Sequence, residues 1–219
     1  MIKGLLFDLD GVLFDTELWH IRLDKKCLDD LGYRDVDPMV FVSLIGAGKG
    51  MDPWEYIYRQ LPDEYRSNGF KERFRAYKAT QFDFPPFKEL IYPEVKKVLK
   101  KLKEDNYLTA CCSSSRPEYI QKALKDCGID DYIDEVLSGH DFLRSKPDPE
   151  IYLTAMKKLG LSNSECMVVE DSPYGIQAGK NAGMIVSCRK DHIFGLDQSC
   201  ADFAFDDLNG LYDLLDQQS

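Results

Sequence analysis

Four short apolar runs constrain the fold of this chain most: Ile2–Leu9, Tyr107–Cys112, Cys166–Glu170 and Met184–Ser187. Each is bounded by turn or polar residues and lacks the alternation of a half-exposed strand, so each reads as a strand buried on both faces. Ala201–Phe205 and Ile133–Leu137 are candidates for two more. The segments between them carry helical patterns. Arg116-Pro117, Asp148-Pro149 and Ser172-Pro173 place proline where a first helical turn accepts it, and Asp148 and Ser172 add a capping side chain. Strands alternating with helices of this length predict an α/β fold, a Rossmann-like parallel-sheet core covered by helices on both faces.

The alternation stops between residues 15 and 92. Helical spacing runs over Glu17–Leu31 and resumes from Pro53 and from Asp63, with Trp19, Trp54, Tyr56, Tyr58, Tyr65, Phe70, Phe74 and Tyr77 crowded between charges. Aromatics at that spacing pack the core of a small helical unit. Helices placed straight after the first strand are expected to form an inserted all-helical cap domain over 15–87, with the core made of 1–14 and 88–219. The proline-containing Phe82–Phe87 is the expected return linker, and Tyr92-Pro93 opens the next core helix.

Charge narrows the partners. Of 219 residues, 28 are Lys or Arg and 38 are Asp or Glu, a formal net charge of −10. That balance argues against nucleic acid or an anionic membrane, both of which reward clustered cations. It leaves a small anionic substrate open, because a metal ion or a few local cations reverse the field. No apolar stretch reaches the length of a membrane span, and Met1-Ile2-Lys3-Gly4 leads into the first strand rather than into a secretory signal. Seven cysteines without a CxxC pair, two of them adjacent at Cys111-Cys112, predict buried free thiols in a reducing compartment. The expectation is a cytoplasmic, monomeric globular protein.

Polar groups gather where the expected strands end. Asp8 and Asp10, two apart on an extended segment, share a face and aim beyond the carboxyl edge of the sheet, where open parallel sheets bind ligands. Gly11 lets the chain turn sharply there, and two like charges so close call for a cation or a shared proton. Cys112-Ser113-Ser114-Ser115-Arg116-Pro117 puts a hydroxyl and free backbone N–H groups at a helix start, an anion seat. Ser145-Lys146-Pro147-Asp148-Pro149 sets Lys146 just ahead of another helix, and Val168-Val169-Glu170-Asp171-Ser172-Pro173 ends a strand in paired carboxylates. Asp8, Asp10, Glu170 and Asp171 together offer hard oxygen ligands suited to Mg²⁺.

Aspartate, serine, lysine and a carboxylate pair, in that order and at these places, resemble the haloacid dehalogenase superfamily. The helical insertion resembles its small helical-cap class, which contains the beta-phosphoglucomutases and many sugar-phosphate phosphatases. The resemblance covers nearly the whole chain. It extends to Asp15-Thr16 and His20 at the start of the cap, and to Gly175, Gly179 and Gly183 in the helix after Ser172. It implies that Asp8 attacks phosphorus and becomes an aspartyl phosphate, while Asp10 protonates the leaving group and then activates water. It further implies that Ser113, the backbone at Ser114 and Lys146 hold the phosphoryl oxygens. Glu170 and Asp171 would hold Mg²⁺, with Asp8 and the backbone carbonyl of Asp10.

Within that superfamily the residues separate the reactions. Halide displacement needs neither a proton donor nor a metal, so it has no use for Asp10 or the Glu170-Asp171 pair. A phosphate sensor without catalysis would lack Asp8, Asp10 or Lys146, and all are present. The beta-phosphoglucomutases grip their substrate's second phosphate with a Gly-x-Ser-Arg type loop in the cap. Here Ile45-Gly46-Ala47-Gly48-Lys49-Gly50 stands in its place, with Lys49, a point charge, where the arginine fork is expected. His20 and Arg116 are further substrate candidates. The expected activity is Mg²⁺-dependent hydrolysis of a small phosphorylated metabolite, a sugar phosphate, and the alternative is a beta-phosphoglucomutase-like phosphosugar mutase.

Overall fold

The computed structural model describes residues 1–47, 54–66, 69–81 and 83–217. Among these, the strands β1 (Gly4–Phe7), β2 (Leu108–Ser113), β3 (Glu135–Ser138), β4 (Cys166–Glu170), β5 (Ile185–Arg189) and β6 (Phe203–Phe205) form one sheet in the order β3-β2-β1-β4-β5-β6. Every pairing in it is parallel. The order reverses at β1, where Leu6 pairs with Ala110 of β2 on one side and Val168 of β4 on the other. Such a switch point leaves a crevice at the carboxyl ends of the two central strands.

Side chains alternate between the two faces of the sheet. Leu5, Phe7, Cys111, Met167 and Val169 pack on one face against α5 (Val95–Glu104), α6 (Pro117–Cys127) and α9 (Gly210–Gln217). Leu6, Ala110, Cys112, Val168 and Val186 pack on the other, against α7 (Glu150–Lys158) and α8 (Pro173–Asn181). Both faces are covered, which is why the strands read as continuous apolar runs. The two candidate strands are both present, with Ile133 and Ala201 left outside them. All seven cysteines are free: Cys27, Cys111, Cys112, Cys166 and Cys188 are buried, and Cys200 is exposed. Among the described residues no helix is long and apolar enough to cross a membrane.

Between β1 and the core helices the described residues form α1 (Glu17–Asp30), α2 (Trp54–Gln60), α3 (Phe70–Gln81) and the short α4 (Phe87–Leu90), with no strand of the sheet. Their own apolar cluster holds Ile21, Leu28, Phe41, Trp54, Phe70 and Phe74, and the rings of Phe41 and Phe74 stack with centroids 4.6 Å apart. Two expectations need correction. Tyr56 is 57% exposed rather than packed. Asp63 opens only a single 3₁₀ turn, Asp63–Tyr65, and α3 begins at Phe70, directly after Gly69 at φ +65°. A turn of the core also reaches this unit. The Asp191 carboxylate accepts from the backbone N–H groups of Ile193, Phe194 and Leu196, and Phe194 packs on the aromatic cluster.

The glycines after Ser172 divide in role. Gly179 lets α8 lie against the sheet, since a Cβ there would stand 2.7 Å from Val186 Cγ2 and 3.2 Å from Val168 Cβ. Gly183 is not in the helix. It follows the end of α8 at φ +69°, where its conformation turns the chain toward β5. Gly179→Val should therefore overpack the α8–sheet contact by about 2 kcal/mol. The expected result is a Tm lowered by roughly 4–8 °C in a thermal melt; an unchanged Tm would mean that the helix lifts off without cost.

Candidate active site

Four chain segments converge at the switch point. Asp8 follows β1, and its Oδ1 accepts a hydrogen bond from Lys146 Nζ at 2.5 Å. The same ammonium donates to Glu170 Oε1, at the end of β4, at 2.6 Å. Lys146 is 2% exposed and Glu170 fully buried, so the three charges form one desolvated cluster. Glu170 is also held by Tyr152 Oη at 2.7 Å on Oε1, and its Oε2 accepts from Asp171 N, Ser172 N and Ser172 Oγ. Burial alone would lower the Lys146 pKa, but Asp8 and Glu170 reverse this and raise it above the ordinary lysine range. Two glycines admit the carboxylates. A Cβ on Gly175 would sit 1.7 Å from Glu170 Oε1, and one on Gly11, at φ +75°, would sit 1.9 Å from Asp171 Oδ2.

Asp10 faces hydroxyls rather than ammonium. Its Oδ1 accepts from Thr16 Oγ1 at 2.5 Å and Tyr119 Oη at 2.9 Å, and its Oδ2 from Ser115 Oγ at 2.8 Å. Ser113 Oγ, buried at the end of β2, accepts from Ser115 N at 3.0 Å. Ser138 Oγ donates to the Ser115 carbonyl at 2.7 Å, which fixes the loop carrying Ser113 and Ser114. Asp8, Asp10, Ser113, Ser114 and Asp171 line a cleft of about 220 Å³, with Lys146 and Glu170 buried beneath it.

Cap residues close this cleft. His20 lines it and lies 3.3 Å from Tyr119 Oη, and burial holds its imidazole below the ordinary range against the pull of Asp10. Glu17, the first residue of α1, also lines it; burial first, then Asp10 and Asp8, pushes its carboxyl up to about 8. Lys78 of α3 reaches the cleft and pairs with the buried Asp24. Gly46, at φ +71°, lies over the core, where a Cβ would stand 2.2 Å from Ser172 Oγ. Lys49, the expected cap cation, lies outside the described residues. Arg116 lines a second cavity beside the cleft, together with His20 and Lys78. Sequence reasoning missed Glu17, Asp24, Lys78, Ser115 and Tyr119. Helical spacing could place Lys78 near Phe74 on α3, but nothing local marks which flank of that helix meets the core.

The charge balance suits a metal ion. Asp8, Glu170 and Asp171 each bring a carboxylate oxygen within 4.8 Å of the others. Burial, reinforced by neighbouring carboxylates, raises Asp8 to about 7 and Asp171 well above the ordinary range. Burial pushes Glu170 the same way, but Lys146 overcomes it and holds that carboxyl below its usual value. A single ammonium therefore leaves negative charge uncompensated, and the all-oxygen donor set fits a hard divalent cation. Five donors already engage Glu170, which leaves Asp8 and Asp171 the less occupied carboxylates among the described residues.

A parallel sheet with carboxylates, serine and lysine gathered at its switch point and helices folded over them defines a class of hydrolase. The chain belongs to the haloacid dehalogenase-like hydrolases, whose sequence profile matches residues 5–188. Pyrophosphatase PpaX of Bacillus velezensis is 31% identical over 83% of this chain and 80% of its own. The phosphoglycolate phosphatase of Aquifex aeolicus is 26% identical over 98% of this chain and 97% of its own. The crystal structure of beta-phosphoglucomutase from Clostridium difficile superposes with a TM-score of 0.74 at 25% identity, covering 100% of this chain and 97% of that one.

Removing one of the crowded charges tests the metal fit without any assay of turnover. In EDTA, Asp171→Asn should raise Tm by roughly 2–4 °C, about 1 kcal/mol for a chain of this size. The same variant should lack the upward Tm shift that Mg²⁺ is expected to give the wild type. A lower Tm in EDTA, with the Mg²⁺ shift intact, would show that Asp171 is neither strained nor a ligand.

Proposed function

We propose that this protein hydrolyses a small phosphorylated metabolite, a sugar or polyol phosphate, through an aspartyl phosphate on Asp8 with Mg²⁺ in the carboxylate cluster. The protein is a phosphatase of the haloacid dehalogenase superfamily, as are the relatives named above as phosphatases. The observation that carries the mechanism is the division of labour between two aspartates in one cleft. Asp8 is held by an ammonium, and Asp10 by three hydroxyls. One is oriented by a cation it can share with an incoming phosphate; the other sits where a proton is given and taken.

The steps follow from those placements. A carboxylate oxygen of Asp8 attacks phosphorus, the bond to the ester oxygen breaks, and Asp10 delivers its proton to the departing oxygen. Water then attacks the aspartyl phosphate, Asp10 takes its proton, and the bond to Asp8 breaks to release inorganic phosphate. The Ser113 hydroxyl, the Ser114 backbone N–H and Lys146 hold the phosphoryl oxygens through both steps. A divalent cation held by Asp8 and Asp171, with Glu170 and the Asp10 carbonyl, would neutralise charge on the group in transfer. Residues 15–87 act as a cap on 1–14 and 88–219, hinged near Asp15 and at 84–87, and their closure excludes water until Asp10 admits one molecule. Free, mostly buried thiols support a reducing, cytoplasmic setting. The mutase alternative draws support from the likeness to beta-phosphoglucomutase.

Asp8→Asn should abolish Mg²⁺-dependent phosphate release, because an amide is no nucleophile; wild-type turnover in that variant would remove the aspartyl phosphate from the scheme. Asp10→Asn should cost about 10²–10⁴ in kcat on alkyl phosphates, and much less on p-nitrophenyl phosphate, whose leaving group needs no proton. Equal losses on both substrates would contradict the acid role. Glucose 1-phosphate should lose phosphate faster than it is isomerised, and the reverse order would favour the mutase.

A further inference from the structure

Tyr119 meets the Asp10 carboxylate from within the core. It stands in the first turn of α6, is buried, and its ring packs edge-on against Phe87 of α4 with centroids 5.0 Å apart. Phe84 lies beside it at 6.3 Å. Aromatic contacts of this kind fix the ring, and with it the place of its hydroxyl. A phenol carries one proton at neutral pH, and this one is donated to Asp10 Oδ1 at 2.9 Å.

Counting donors separates the two oxygens of Asp10. A carboxylate offers about four lone pairs, two on each oxygen. Thr16 and Tyr119 fill both on Oδ1, whereas Oδ2 takes only the Ser115 hydroxyl among the described residues. The donors also stand in different places. Ser115 lines the catalytic cleft, Thr16 is fully buried, and Tyr119 lines the neighbouring cavity. The oxygen with a lone pair to spare is therefore the one on the cleft side.

We propose that Tyr119 is a positioning residue for acid–base catalysis: it keeps Oδ1 saturated, so that the transferable proton of Asp10 resides on Oδ2. The inference rests on the phosphatase reading above and deepens it by naming the oxygen that works. In the first step an oxygen of Asp8 bonds to phosphorus as the bond to the ester oxygen breaks, its electron pair staying on that oxygen. The proton leaves Oδ2 for the same oxygen, so an alcohol departs and Asp10 is left as a carboxylate. In the second step Oδ2 takes a proton from water, whose oxygen bonds to phosphorus as the bond to Asp8 breaks. Without the phenol, Oδ1 has an unpaired acceptor site in buried surroundings. The proton then divides between an oxygen that faces the ester and one that does not.

Two substrates of similar size separate this role from a general loss of structure. Propyl phosphate has an alkoxide that must be protonated as it leaves, whereas the acetate of acetyl phosphate departs without a proton. The quantity read is the ratio of kcat/KM on propyl phosphate to kcat/KM on acetyl phosphate, from phosphate release with Mg²⁺. That ratio reports the step in which the leaving group departs and cancels any loss of folded protein. Asp10→Asn sets its floor. Tyr119→Phe, which keeps the ring and removes only the hydroxyl, should lower the ratio about tenfold, part of the way to that floor. Tyr119→Leu, which removes the ring as well, should lower it at least as far. A wild-type ratio in Tyr119→Phe, with Asp10→Asn lowered, overturns the positioning role and leaves the phosphatase reading standing. A ratio that does not fall in Asp10→Asn, or no phosphate release from either substrate by the wild type, overturns both.

Discussion

A buried ammonium shared by two buried carboxylates is the constraint on which the rest of this protein depends. Lys146 comes from the segment after β3, Asp8 from β1 and Glu170 from β4, so one Nζ atom ties together three ends of the sheet. Taking any of these charges out of water alone would cost several kcal/mol, and removing one partner of such a cluster typically costs about 3–5 kcal/mol. The surroundings show how the cost is met. Tyr152, the backbone at Asp171 and Ser172, and the Ser172 hydroxyl all point at Glu170, and Gly175 is bare so that its carboxylate fits. What the cluster leaves unbalanced, on Asp8 and Asp171, faces the cleft.

The parts legible in the sequence are those decided within a few residues. β1, β2, β4 and β5 were readable because burial on both faces makes them uniformly apolar, and Asp8, Asp10, Ser113 and Glu170-Asp171 were readable as polar ends to those runs. Ser172 caps α8 as its position before a proline suggests, its Oγ accepting from Gly175 N at 3.1 Å. Lys146 was legible only through its order among the other motifs, since a lysine before a helix is usually solvated. It is buried here because the β3-β2-β1-β4 arrangement folds its loop over the central strands. Lys78, Glu17 and Asp24 were not legible. Phe70 and Phe74 show which side of α3 packs inward, but the flank that overhangs the cleft is set by where the cap rests on the core.

The strand ends and the helical layer meet at the cleft and are physically joined there. The strand ends supply Asp8, Ser113, Glu170 and Asp171, whereas α1 and α3 supply His20, Lys78 and Arg75. Asp10 belongs to both, because Thr16 at the entrance to α1 and Tyr119 of α6 hold the same carboxylate oxygen. The turn built on Asp191 adds a second junction. Phe194 leans on the aromatic cluster of the cap, while Gln198 donates to the backbone carbonyl of Asp171 at 2.6 Å.

The bare α-carbon of Gly46 opposite Ser172 has a practical consequence. Ser172 donates to Glu170 and caps α8, so it is anchored to the core, and Gly46 of the helical layer lies against it. If the cap opens as proposed, the Ser172 amide becomes an unlabelled proximity sensor, because its environment would change from packed to wet while its own hydrogen bonds persist. A nuclear magnetic resonance signal from that one amide would follow opening and shutting in real time, without attaching a dye to either half.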